Sequence, residues 1–329
     1  MSPPGSLPLG DPVSLNTAPS TTPKRRWLHW VGLGLMLASV LFVARRIGVH
    51  VDALKERLDA AGIALLIVGA SVYAASLLLI SYTWWRMLLV LGVGLPRRTS
   101  HILYSRTQLA KYLPGNIFHF VARHLAFRRL GVETSTLTLA ALCEAMGLAC
   151  AALLLALPGA PSLLSQVLHN YSAPSAAWLG IAAVAVATAS LGLWLLLRQR
   201  SLQRRISPLG ALRQRAVMLL KLLPLYVLFM AIGGSTALVL HEHAAGTPGF
   251  ALVIAPAYTL AWLCGFVIPG ASGGLGVREA ALLLVLGSNP AALFVALGMR
   301  LVTTLGDVLF FSFGLFLPPS STRDEQPEP

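Results

Sequence analysis

Two stretches of the chain place charge beside residues that break regular structure. The first spans 106–123 and centres on Lys111-Tyr112-Leu113-Pro114-Gly115-Asn116, with Arg123 at its end. The second is Pro269-Gly270-Ala271-Ser272-Gly273-Gly274-Leu275-Gly276-Val277-Arg278-Glu279. Glycine-rich turns that open a helix present backbone N–H groups to anions. Gly270, Gly273, Gly274 and Gly276 have the spacing for such a nest, just ahead of a short apolar run at 280–286. Arg278 and Lys111 add full positive charge. The chemistry that suits this combination is the binding of an anion, most simply a phosphate. The second stretch is neither a P-loop nor a dinucleotide fingerprint, because no Lys-Ser or Lys-Thr follows at the right spacing and GxGxxG is absent. The competing explanation is that its glycines only let helices pack closely. Arg278-Glu279 is a costly neighbour for that purpose alone.

A second group consists of ionisable residues in apolar surroundings: Arg86, Glu144, Arg278, Glu279, Arg300 and Asp307. Each costs roughly 2.5–3.5 kcal/mol at the centre of a membrane helix. Left unpaired, the six together would cost about 15–20 kcal/mol, more than a typical net folding stability. Arg278 and Glu279 are adjacent, so on a helix they point about 100° apart and do not satisfy each other. Arg300 and Asp307 share a helix stripe but stand about 10 Å apart along it. Each must therefore meet a group from another element. The expectation is one buried network joining Glu144, Arg278, Glu279, Arg300 and Asp307 along a polar cavity. A structural ion-pair cluster that locks a helix bundle is the alternative. Arg86 reads as a side chain that snorkels to the membrane surface.

No metal or cofactor is expected. His119 and His124 flank Arg123 without a cysteine or acidic cluster, and His241-Glu242-His243 is not an HExxH pair. Ser272 lacks a visible base, so no catalytic residue is assigned. Cys143, Cys150 and Cys264 fall inside apolar stretches and read as small core residues.

The elements that must position these residues follow from composition. Of 329 residues, 56% are hydrophobic and only 11% charged, against about 25% charged in an ordinary soluble domain. That excludes a typical soluble protein, a disordered chain and a disulfide-stapled module. The net charge of +13 comes from basic residues clustered between apolar runs. They mark cytoplasmic loops facing anionic lipid rather than a nucleic-acid surface. Residues 1–26 read as a disordered cytoplasmic tail and 318–329 as a second one. Uncharged or nearly uncharged spans are expected at 27–44, 62–85, 137–157, 176–197, 222–240, 250–268 and 291–317. Residues 158–175 and 241–249 carry no Lys or Arg and read as external loops. Residues 198–215 carry six arginines and no acid, the clearest cytoplasmic loop. Segments 101–130 and 269–290 fit no uniform span. Non-helical backbone at membrane depth must be buried in protein or line a wet cavity, and paired interrupted segments point to a transport site. Trp27, Trp30, Trp84 and Trp85 lie near span ends and read as interfacial anchors.

At these residues the chain resembles a known family. Lys111 to Asn116, followed by Arg123 and the basic stretch to Gly131, is similar to the first signature of the lysylphosphatidylglycerol synthase transmembrane-domain family, also described as flippase-like. Residues 269–279 resemble its second signature, usually a Pro-Gly-Gly-Leu-Gly-x-x-Glu run; here Ala271-Ser272 is inserted between the first two glycines. The resemblance covers residues 27–317. It implies an integral-membrane flippase domain, without the soluble synthase domain that bifunctional members append. Aminoacylated phosphatidylglycerol is the lipid moved by those members. Stand-alone relatives have been linked to polyprenyl-phosphate sugars and hopanoid-type lipids.

The expectation is therefore an all-α polytopic bundle of about 7–8 spans with two broken, re-entrant segments, in the cytoplasmic membrane with its N-terminus cytoplasmic. Its expected function is translocation of a phospholipid or polyprenyl-phosphate-linked lipid, not an enzymatic reaction. Lys111, Arg123 and Arg278 would contact the headgroup phosphate. Gly115, Asn116, Gly273, Gly274 and Gly276 would shape the site beside Glu279, while Glu144, Arg300 and Asp307 balance charge. Anionic lipid at the basic loops, a second copy of the chain, or a lipid-synthesis enzyme are the expected partners. A non-transporting lipid-binding scaffold docking through 198–215 is the alternative. A transferase using Glu144 or Glu279 as base is a third reading.

Overall fold

The side chain of Asp59 accepts the backbone N–H of Gly62 at 2.7 Å and closes the first turn of α1 (Ala60–Val90). At 1.5 Å per residue its 31 residues run about 46 Å, longer than the ~30 Å of hydrocarbon in a bilayer. The chain then turns at Pro96 into α2 (Arg97–Gln108), which tightens into one 3-10 turn (Leu109–Tyr112). Next among the described residues come α3 (Phe118–Arg128) and α4 (Thr134–Ala156). A 3-10 turn at Leu157–Gly159 links α4 to α5 (Ala160–Asn170). α6 (Leu223–Ala245) ends at Gly246 with φ 67°, the left-handed closure that glycine tolerates. α7 (Ala251–Val267) carries Pro256 inside it. A 3-10 turn at Ser272–Gly274 leads into α8 (Val277–Leu286). Asn289 caps α9 (Pro290–Phe316) by accepting the N–H of Ala292 at 2.8 Å, with Pro290 in the first turn where it forfeits no helical bond.

This computed structural model describes residue 52 and residues 55–113, 118–170, 217–248, 251–268, 272–287 and 289–317. Among them all regular structure is helical and no strand occurs. Four helical stretches are long and apolar enough to cross a membrane: Ala60–Val90, Thr134–Gln166, Val217–Ala245 and Pro290–Phe316. Side chains such as Ile67, Val68, Leu220 and Phe316 are exposed on them, as lipid-facing residues are. α7 is a shorter apolar helix. The spans expected at 27–44 and 176–197, the basic loop 198–215, and the tails 1–26 and 318–329 lie outside the described residues.

Two expected loops are partly helical. Residues 158–170 form a turn and α5 rather than an open connection. Pro158 and Pro161 cost little there, because proline is tolerated in the first turn of a new helix. α6 runs on past Leu240 to Ala245, since nothing breaks it before Gly246.

α9 is the hub, packing on α1, α2, α6 and α8. α1 and α9 run parallel: Gly69 lies against Val302, and Gly306 against Ala70 and Tyr73. At Gly306 a side chain would meet the Ala70 carbonyl oxygen at 2.8 Å, so only glycine lets the two backbones approach this closely. α6 runs antiparallel to α1, tied by Arg57 Nε donating to the Ala244 carbonyl at 2.8 Å. This frame holds both irregular segments against α9.

Candidate functional site

α3 and α4 bring Arg123 and Glu144 together in the bundle. Arg123 Nη1 donates to both carboxylate oxygens of Glu144, at 2.9 and 2.8 Å. The Tyr104 hydroxyl donates to the same carboxylate at 2.9 Å. The guanidinium lies 3.6 Å from the Tyr104 ring centroid and 4.8 Å from that of Trp84. Arg123 and Glu144 are 1% and 2% exposed. Burying two charges is costly, so what holds the pair is this close geometry and the aromatic faces around the cation.

The second pair ties the first irregular segment to α9. Asp307, fully buried, accepts from Lys111 Nζ at 2.6 Å, from the Tyr112 hydroxyl at 2.6 Å and from Gln108 Nε2 at 3.2 Å. All three donors come from the end of α2 and its 3-10 turn. The third pair ties the second segment to the same helix. Arg300 lies 3.7 Å from Glu279 and donates to the Gly273 carbonyl at 3.0 Å.

Arg278 stands apart. Among the described residues it meets no carboxylate, and its buried Nε finds no hydrogen-bond partner. Its stem is confined between Gly265 and Gly274, and its guanidinium lies 5.1 Å from the Trp262 ring. Gly273, Gly274 and Gly276 have φ of 56°, 73° and 79°. These left-handed angles turn the chain sharply into α8 and are strained for any residue with a Cβ. Tyr112 packs on Gly273, so the two irregular segments touch.

Between them lies a cavity of about 60 Å³ bordered by Gln108, Lys111, His119, Arg123, Gly273 and Arg278. A smaller one of about 20 Å³ adjoins Glu279 and Arg300 across Arg278 and Trp262. The larger has room for a few waters or a small ion, and a lipid headgroup would need it to open. Lys111, Arg123, Arg278 and Arg300 face Glu144, Glu279 and Asp307: four cations against three carboxylates among the described residues. The surplus positive charge is Arg278.

Among the described residues, the expected single network is instead three separate pairs, with Arg278 in none of them. Glu144 and Asp307 are satisfied by donors close to them, whereas Glu279 meets only Arg300, at 3.7 Å, and its Oε2 is buried without a hydrogen-bond partner among the described residues. Lys111 and Arg123, expected to hold a phosphate, are engaged by Asp307 and Glu144. Gly115 and Asn116, with Gly270 and Ala271, lie outside the described residues, as does the Ser272 side chain. Trp84 is not an interfacial anchor; it is 2% exposed and faces Arg123. Trp85 does sit at the end of α1, donating to the Leu95 carbonyl at 3.0 Å, with the exposed Arg86 beside it. Tyr104, Gln108, Tyr112, His119 and Trp262 were not assigned from sequence. Gln108 and Tyr112 flank Lys111 closely enough to have suggested a shared acceptor, whereas nothing in the sequence marks Tyr104 or Trp262. Among the described residues no group of three or more His, Cys, Asp or Glu is placed to hold a metal ion.

At the start of α2, Arg97 Nε donates to His101 Nε2 at 3.1 Å. The ring proton therefore sits on Nδ1 and points to Ser81 Oγ, 2.6 Å away. Burial first, and then Arg97, hold this imidazole below its ordinary value.

Comparison of the chain with protein-family models and with curated proteins returns no match to either.

Proposed function

We propose that the chain is an integral-membrane lipid translocase whose cavity receives the phosphate of a lipid headgroup. The observation that supports this most is Arg278, a largely buried cation without a carboxylate partner among the described residues, beside a left-handed glycine turn that opens α8. A buried charge of this kind is costly unless an anion meets it. In this reading segments 101–130 and 269–290 are re-entrant halves of a bundle of 7–8 spans. The bundle lies in the cytoplasmic membrane with its N-terminus inside, as the bias of lysine and arginine toward the N-terminal, 97–129 and 198–215 segments implies. The phosphate seats against Arg278 while the acyl or prenyl chains stay in the lipid. The Lys111–Asp307 and Arg300–Glu279 pairs, both on α9, hold the segments closed and must shift for a headgroup to enter.

The test is reconstitution of the full chain in liposomes containing fluorescent phosphatidylglycerol, its lysyl ester or a short polyprenyl phosphate, with dithionite added outside. Bleaching that proceeds past the outer-leaflet plateau, and is lost with Arg278→Ala, is the expected result. If folded protein accelerates no lipid, the proposal fails.

A further inference from the structure

We propose that His119 is the second anion-binding member of this site and that, together with Arg278, it fits the cavity to a doubly charged phosphate, that is, a lipid phosphomonoester. This rests on the reading of the cavity as a headgroup site. α3, at 11 residues too short to cross a bilayer, carries His119 one turn before Arg123. The imidazole is 9% exposed and lines the cavity. Its Nδ1 is buried without a hydrogen-bond partner among the described residues. Buried polar atoms are nearly always partnered, and an exception calls for an explanation. Three residues around this one small cavity carry such an atom: His119 Nδ1, Arg123 Nε and Arg278 Nε; Arg123 is already neutralised by Glu144, which leaves His119 and Arg278.

The groups facing His119 are Arg123 on its own helix, Lys111 on the 3-10 turn and Arg278 on α8. Glu144 on α4 also borders the cavity but is engaged by Arg123, and Tyr73 and Tyr104 are uncharged. Burial and then those three cations hold this imidazole below its ordinary value. A phosphate seated against Arg278 reverses the local field, and Nδ1 and Nε2 then both carry protons, the added one coming from solvent and returning to it on release. Arg278 and the imidazolium then supply two positive charges. A phosphodiester needs only the first; a phosphomonoester, at about −1.5 to −2 near pH 7, matches both.

The experiment is calorimetric titration of the full chain in detergent at pH 7. Dihexanoylphosphatidic acid and dihexanoylphosphatidylglycerol are each used in two buffers of different ionisation enthalpy. The phosphatidate is expected to bind at least about tenfold tighter and to draw up to a full proton from the buffer. His119→Gln is expected to abolish the proton uptake and equalise the two lipids while phosphatidylglycerol still binds. Phosphatidate binding without proton uptake, uptake that survives His119→Gln, or equal affinity for both lipids in the unaltered chain would overturn the assignment of His119 and leave Arg278 in place. Binding of neither lipid by folded protein, or binding indifferent to Arg278→Ala, would overturn the headgroup site itself and this proposal with it.

Discussion

Lys111 and Asp307 meet at 2.6 Å inside the bundle, the lysine from a single 3-10 turn and the aspartate from the middle of α9. Tyr112 and Gln108 donate to the same carboxylate, so one side chain anchors the whole turn.

Asp307→Asn keeps the shape of that acceptor but leaves Lys111 buried without a counter-charge. It is expected to destabilise the protein by about 3–5 kcal/mol. Lys111→Met combined with it is expected to recover part of the loss. Thermal unfolding in detergent across the double-mutant cycle measures both, and additive losses would show the pair to be uncoupled.

Arg123→Lys keeps the charge opposite Glu144 and removes the planar group stacked on Tyr104 and Trp84. A loss of about 1–2 kcal/mol is expected, smaller than that of Glu144→Gln, which strands the arginine. No loss for Arg123→Lys, read from the same melts, would show that stacking contributes nothing distinct.

Gly265→Ala tests the position of Arg278 without altering charge. The new Cβ would lie 2.8 Å from Arg278 Nε and displace the side chain. Lipid translocation is expected to fall to the level of Arg278→Ala, with a stability cost of about 1–3 kcal/mol. Gly234→Ala, tight only against Ala255, is the control and is expected to retain transport.

His101 and His119 are both held below the ordinary histidine value, in each case first by burial. The unfolded chain therefore binds more protons below about pH 6.5, and stability is expected to fall as pH drops through that range. Above it the contribution is fully present. His119→Gln is expected to flatten the decline, measured as melting temperature against pH.

Long spans were legible wherever an uncharged or nearly uncharged run exceeds the bilayer, as at α1 and α9. So was the turn at Gly276, as a glycine run just ahead of a short apolar stretch. Charge partners were not. Arg123 and Glu144 sit on different helices, and no periodicity links Lys111 to Asp307. The separate needs of these charges looked like one network until the geometry divided them. Trp84 was misread because a tryptophan near a span end gives the same signal whether it faces lipid headgroups or a buried arginine.

The parallel pairing of α1 with α9 also fixes where the chain emerges. α1 leaves the bundle toward Pro96-Arg97-Arg98, and α9 leaves it in the same direction, its last carbonyls at Gly314 and Leu317 held by Arg106. Basic residues favour the inner face. An epitope tag joined after Leu317 and a reporter placed at Gly94 should therefore be reached by the same impermeant label, and only once the cell has been opened.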